Sequence, residues 1–203
     1  MVNRRTALAT VTFLAMSLPA SAQQASITKL MEPGPMPEKS FGPADAQVTV
    51  VEYASVTCHH CMNFHTETWP KLKEKYVDTG KIRFIMREFP LDALATAGFM
   101  LARCAGDDRW YPMLDLLYRS QETWAHAKNP ADELLNAVRQ AGMTKDGFEA
   151  CLSDQKLLEG INKTRTRATE LGVNSTPTFF VNGQKHIGAL TIEQFEKILE
   201  PLL

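Results

Sequence analysis

A basic excess is missing from this 203-residue chain: 22 lysines and arginines face 23 aspartates and glutamates. That balance leaves no electrostatic footprint for nucleic acid. Cysteines number only four, too few to staple a mini-scaffold. Internal repeats and low-complexity segments are absent, which excludes a collagen-like chain. The one long apolar run, Ala7 to Leu18, has 12 residues, so a multi-span membrane protein is excluded as well. What is there is ordinary in bulk. Apolar residues make up 44% and charged residues 22%, as in an average soluble globular protein with a substantial core.

Residues 1–22 read as an address label. Arg4 and Arg5 precede the apolar run, Pro19 breaks it, and Ala20-Ser21-Ala22 gives the small-x-small pattern of a signal-peptidase site. Twelve residues are too short to cross about 30 Å of hydrocarbon as a helix, so cleavage is expected over a retained anchor. The mature chain then carries 20 basic and 23 acidic side chains, and works in an oxidising, periplasmic compartment.

Residues 23–46, punctuated around Glu32-Pro33-Gly34-Pro35-Met36-Pro37, read as an extended lead-in with no core of its own. Val48 to Tyr53 is β-branched and nearly continuous in apolar character, the pattern of a strand buried on both faces. A helix follows from about Cys58 to Tyr76, with Met62, His65, Trp69, Leu72 and Tyr76 on one face and a kink predicted at Pro70. Ile82 to Phe89 is a second strand. From Asp92 to Leu171 only helical segments are found, including one capped by Asn129 and Pro130 and ended by Gly142. Strand character returns at Thr178 to Val181, Asn182-Gly183 marks a hairpin, and Thr191 with Glu193 nearby opens a terminal helix. Residues 47–91 and 172–203 are therefore expected to share one mixed sheet flanked by helices, with 92–171 an inserted all-helical domain.

Cys58-His59-His60-Cys61 stands where a strand gives way to a helix. A sulfur there meets unpaired backbone N–H groups and the positive end of the macrodipole, both favouring thiolate, and two imidazoles can add hydrogen bonds or charge. Cys58 is the candidate nucleophile and Cys61 the resolving thiol, one turn inside. A thiolate stabilised in this way makes the disulfide unstable and readily passed on. Four consecutive residues close a zinc tetrahedron poorly, and a tight loop beside two histidines makes a poor structural staple. Glu52 interrupts the buried strand; it is either a strand-end acid turned to water or a buried acid moving protons to and from Cys61. Thr176-Pro177 enters a core strand, and on the dipeptide alone an ordinary trans bond is favoured. Cys104 and Cys151, on apolar stripes of the insertion, are either buried free thiols or, as an oxidising compartment favours, a structural disulfide beside a Cys58–Cys61 redox pair.

Together these features resemble the thioredoxin superfamily, and the helical insertion resembles the DsbA family of bacterial thiol:disulfide oxidoreductases. The resemblance rests on Glu52 six residues before Cys58, the Cys58/Cys61 pair, Phe64 after it, and Thr176-Pro177 before the last hairpin. His59 replaces the proline of the family's commonest Pro-His dipeptide, and His60 is kept. The resemblance implies a thioredoxin fold, reactive Cys58, resolving Cys61, a cis Pro177 facing them with Thr176 beside a substrate groove, and no cofactor beyond the redox-active disulfide. It also implies unfolded secreted proteins as substrates and a DsbB-like membrane oxidase as partner. An isomerase or reductase would use the same residues, but the short lead-in offers little for a dimerising arm, so a monomer is expected. A reading from a different class is a periplasmic copper- or zinc-binding protein using Cys58, His59, His60 and Cys61 with Met31 and Met36.

Overall fold

The computed structural model describes residues 27–203, and the signal-peptide reading of 1–22 lies outside them. The sheet has five strands: β1 (Lys39–Phe41), β2 (Val48–Ala54), β3 (Ile82–Glu88), β4 (Thr178–Val181) and β5 (Gln184–Ile187), in the spatial order β1-β3-β2-β4-β5. β2 and β3 are parallel and every other pair is antiparallel. The parallel pair is joined by a helical crossover, as a parallel connection requires.

β2 lies at the centre, which is why it reads as almost wholly apolar. Alternation divides it between two cores. Val48, Val50 and Ala54 join the large cluster against the helices, whereas Val51 and Tyr53 join a smaller one with Leu30, Ile85 and Phe180. Glu52 falls between Val50 and Ala54, on the large-core face, opposite Met86 of β3 and Phe179 of β4.

The crossover helix α1 is built of four contiguous segments, His59–Asn63, Phe64–Thr68, Trp69–Leu72 and Lys73–Val77, of which the second and fourth are π-helical. A proline removes one helical donor and its ring crowds the carbonyl four residues back. At Pro70, where the sequence predicts a kink, the backbone widens just before the proline: Trp69 N–H bonds to Phe64 O. This keeps Phe64, His65, Trp69, Leu72 and Tyr76 buried. Phe64 sits 4.8 Å from Phe179, and Trp69 lies 4.5 Å from Phe84 and 5.2 Å from Phe41 between ring centroids. Aromatic pairs of this kind add about 0.5–1.5 kcal/mol each beyond their burial.

The described part of the lead-in, residues 27–46, has no core of its own but packs Phe41 and Leu30 onto those of the sheet, and it is not wholly extended. Residues 27–31 form a helical turn that buries Leu30, and β1 adds an edge strand to β3. Three residues among prolines and glycines are too few to show a strand period, so the sequence hides it.

The insertion consists of α2 (Ala93–Cys104), α3 (Asp107–Arg119), α4 (Gln121–Trp124), α5 (Pro130–Gln140), α6 (Lys145–Leu152) and α7 (Gln155–Glu170). Asp92 and Thr144 cap α2 and α6 by accepting backbone N–H bonds, while Asn129 stands at the α5 N-cap without a side-chain bond. Gly98 of α2 lets that helix lie against the loop before Cys58, since a Cβ there would come within 2.7 Å of Val56. Asn182 and Gly183, both at positive φ, turn the β4–β5 hairpin. The last helix, α8 (Ile192–Leu199), begins in a capping box, but the partner of Thr191 is Gln194 rather than Glu193.

Cys104, ending α2, and Cys151 in α6 are joined by a disulfide across 47 residues of sequence. Closing a loop of that length restricts the unfolded chain, so replacing both cysteines with alanine is expected to cost about 2–4 kcal/mol in urea unfolding. A loss under about 0.5 kcal/mol would show that the insertion is held by packing alone.

Candidate active site

Cys58 is the N-cap residue of α1, with extended backbone (φ −83°, ψ 119°) and no side-chain capping hydrogen bond. An N-cap side chain faces the N–H groups of the second and third helical residues, here His60 and Cys61. The Cys58 thiol is lowered from the ordinary 9.0 to about 5. The leading cause is a hydrogen bond from the Cys61 thiol. Burial opposes it, and further bonds come from Thr176 and from the backbone N–H groups of Cys61 and His60. Thr176 Oγ1 is buried beside the site, and the protonated Cys58 thiol donates to Thr176 O at 3.3 Å.

Cys61 is the opposite case. It is fully buried, and burial first, then the proximity of Cys58 and Glu52, pushes its thiol well above the ordinary value. Ser55 N–H approaches its sulfur at 3.5 Å. One sulfur of the pair is therefore an exposed-edge thiolate and the other a buried thiol that donates to it.

The structure distributes the remaining site residues unevenly. The Thr176–Pro177 peptide is cis and leads directly into β4, so Thr176 meets Cys58 across the site. Glu52 is fully buried rather than turned to water, and its carboxylate lies 3.1 Å from His65 Nε2. His59 and His60 are both exposed. His59 Nδ1 lies 3.2 Å from Glu122 of α4, and what His60 contributes to Cys58 is its main-chain N–H rather than its ring. Cys104 and Cys151 are bonded to each other within the insertion. Among the described residues, no group of three or more His, Cys, Asp or Glu side chains is arranged to hold a metal ion. No helix among them is long and apolar enough to cross a membrane.

Two contributors escape a reading of the sequence. Gln121 of α4 is buried, and its Nε2 donates to Val56 O at 2.6 Å and to Cys58 O at 3.2 Å. It fixes the loop that delivers Cys58 from a position 63 residues away. Thr57 Oγ1 donates to Asp92 at 2.8 Å, so the α2 cap residue braces the same loop. Neither residue has a local pattern that marks it.

The protein-family model described as Thioredoxin matches residues 37–201. The chain belongs to the thioredoxin family. Among curated proteins it is 37% identical over 146 residues to a putative protein-disulfide oxidoreductase of Rickettsia bellii, covering 70% of this chain and 56% of that protein. It is 30% identical over 153 residues to a probable disulfide bond formation protein D of Bacillus anthracis, covering 72% and 70%. This thioredoxin-family chain spans about half the length of its Rickettsia relatives. Among solved structures it is similar to alpha-DsbA1 of Wolbachia pipientis, with 31% identity, a TM-score of 0.77, and coverage of 86% of this chain and 94% of that one. It is thus a DsbA-like member, a mixed sheet flanked by helices with an all-helical subdomain inserted.

A thiol held at about 5 links redox state to stability. Because its folded value is depressed, Cys58 stabilises the reduced protein fully above the unfolded value, and that contribution fades as pH falls through about 5. The gross preference is about 5 kcal/mol, and partial exposure to solvent screens it to about 2–3 kcal/mol. The unfolding free energy of the reduced form, relative to the oxidised form, is expected to rise from about pH 5 to about pH 8 in denaturant titrations. A pH-independent difference would contradict this assignment.

Proposed function

We propose that this protein is a thiol:disulfide oxidoreductase of the periplasm that donates the Cys58–Cys61 disulfide to secreted proteins as they fold. The observation that carries the reading is the opposed setting of two sulfurs one helical turn apart, Cys58 held down at about 5 and Cys61 pushed up by burial. The relatives named above as disulfide oxidoreductases and a disulfide bond formation protein support it.

In this reading a substrate thiolate attacks Cys58 Sγ. The Cys58–Cys61 bond breaks, a mixed disulfide forms at Cys58, and Cys61 leaves with the electron pair and takes up a proton. A second substrate thiolate then attacks its own sulfur in the mixed disulfide, closing the substrate's bond and releasing Cys58 as thiolate. That last departure is easy because the thiolate is already the favoured form, and a low-pKa sulfur leaves faster. Thr176 and cis Pro177 would flank the incoming chain, with the Thr176 backbone beside Cys58. Glu52 would move the proton of Cys61, and a DsbB-like membrane oxidase would restore the disulfide.

Direction follows from the same energetics. Stabilising the dithiol form by lowering Cys58 from 9.0 to about 5 raises the reduction potential; at about 30 mV per 1.4 kcal/mol the gross effect is about 120 mV, less after solvent screening. Equilibration with glutathione is expected to place the couple well on the oxidising side of thioredoxin. A potential as low as that of thioredoxin would make the protein a reductase. Separately, Cys61→Ala is expected to trap substrate as a mixed disulfide at Cys58 visible on non-reducing gels, and Cys58→Ala to trap none.

A further inference from the structure

Three buried polar atoms stand without a hydrogen-bond partner beside the Glu52–His65 pair: His65 Nδ1, Trp110 Nε1 and Tyr118 Oη, while Glu52 Oε2 has only the His65 ring, at 3.1 Å. The residues of all four atoms line one cavity of about 10 Å³. That is the size of one water, and a buried water takes two to four polar partners. The His65 ring is stacked flat on Tyr118, with centroids 4.3 Å apart and planes 9° apart, which fixes its orientation with Nε2 on Glu52. Burial raises the Tyr118 phenol well above its ordinary value, and Cys61, Glu52 and Cys58 add to the shift, placing its hydroxyl within electrostatic reach of all three.

We propose that His65 is the proton-holding partner of Glu52 in the service of Cys61, with the Tyr118 hydroxyl and one water bound in this cavity completing the connection. The proposal rests on the reading of Glu52 as the group that moves the Cys61 proton, and adds to it why the carboxylate can stand there. A lone carboxylate sealed in a core is costly when charged. Paired with an imidazole at 3.1 Å, it has a neighbour with which a proton can be shared, so neither group stands in the core alone. When the Cys58–Cys61 bond breaks, Cys61 leaves as thiolate and takes that proton, so one negative charge passes from sulfur to the pair and no new buried charge is created. In the reverse step Cys61–SH returns the proton to the pair and attacks Cys58 Sγ in a mixed disulfide, forming the Cys58–Cys61 bond and expelling the external thiolate. His65 acts through Glu52 and is a positioning residue.

The groups that face the pair are Cys58 and Cys61 at the start of α1, Tyr111 and Tyr118 of α3, and Arg87 and Glu88 of β3 at the cavity wall. Glu88 is held in turn by Arg103 of α2 at 2.6 Å. The step to measure is resolution by Cys61, read as release of the second glutathione, the first having left when Cys58 attacks, after reduced protein is mixed with oxidised glutathione across pH 5 to 9. His65→Gln keeps a hydrogen bond to Glu52 but no transferable ring proton. It is expected to slow resolution at least about tenfold and alter its pH profile, leaving the first attack by Cys58 and the Cys58 thiolate absorbance unchanged. Glu52→Gln should slow the same step, and the double variant should be no slower than the slower single one. Tyr118→Phe keeps the stacked ring and removes only the hydroxyl; it should slow resolution about threefold, and it carries the test if His65→Gln does not fold. Wild-type resolution in His65→Gln with slow resolution in Glu52→Gln overturns this inference and leaves the Glu52 reading standing. Wild-type resolution in both removes the Glu52 reading as well.

Discussion

The charge on one sulfur organises this molecule. Cys58 stands at the N-cap position of α1, where its thiol is lowered first by the Cys61 thiol and then, against burial, by Thr176 and the backbone N–H groups of Cys61 and His60. The same sulfur receives the Cys61 thiol, so the second cysteine is at once its partner in the disulfide and its donor when reduced. The features around it brace that sulfur from several sides. Gln121 and Asp92, both from the helical side, fasten the loop before it. β4, paired to β2, brings Thr176 against it from the opposite side.

The inserted helices are therefore part of the site's construction and not only a cover for it. α4 supplies Gln121 and Glu122, and α3 supplies Tyr118 and Trp110 to the cavity beside Glu52 and His65. Sealing Cys61 from water raises its thiol, and without that seal the pair would lose the asymmetry that lets one sulfur leave and the other stay protonated. The buried Glu52–His65 pair is tolerable for the same reason it is useful, since neither group is alone in the core.

How much of this was legible in the sequence depended on range. The central strands announced themselves by β-branched runs, the hairpin by Asn182-Gly183, and α1 by its apolar stripe, because each signal is local. β1 was not legible, being three residues long beside prolines. The Cys58/Cys61 spacing and its place at a strand-to-helix junction could be read directly. Glu52 stood out as an acid in an apolar strand, but whether it faced water was decided by β3, β4 and the insertion packing around it. His65 could be placed on the buried face of α1 and nothing more; its meeting with Glu52 is a contact across 13 residues. Gln121, 63 residues from Cys58, left no local trace at all. The two histidines of the motif misdirect in one respect, since the lowered thiol owes more to the His60 backbone than to either ring.

The most direct test of this account is a pH titration of the thiolate absorbance of the reduced protein, with Cys58→Ser as the blank. The account predicts a midpoint near 5, belonging to Cys58, with Cys61 still protonated through neutral pH. A midpoint near the 9.0 of an ordinary thiol would contradict it.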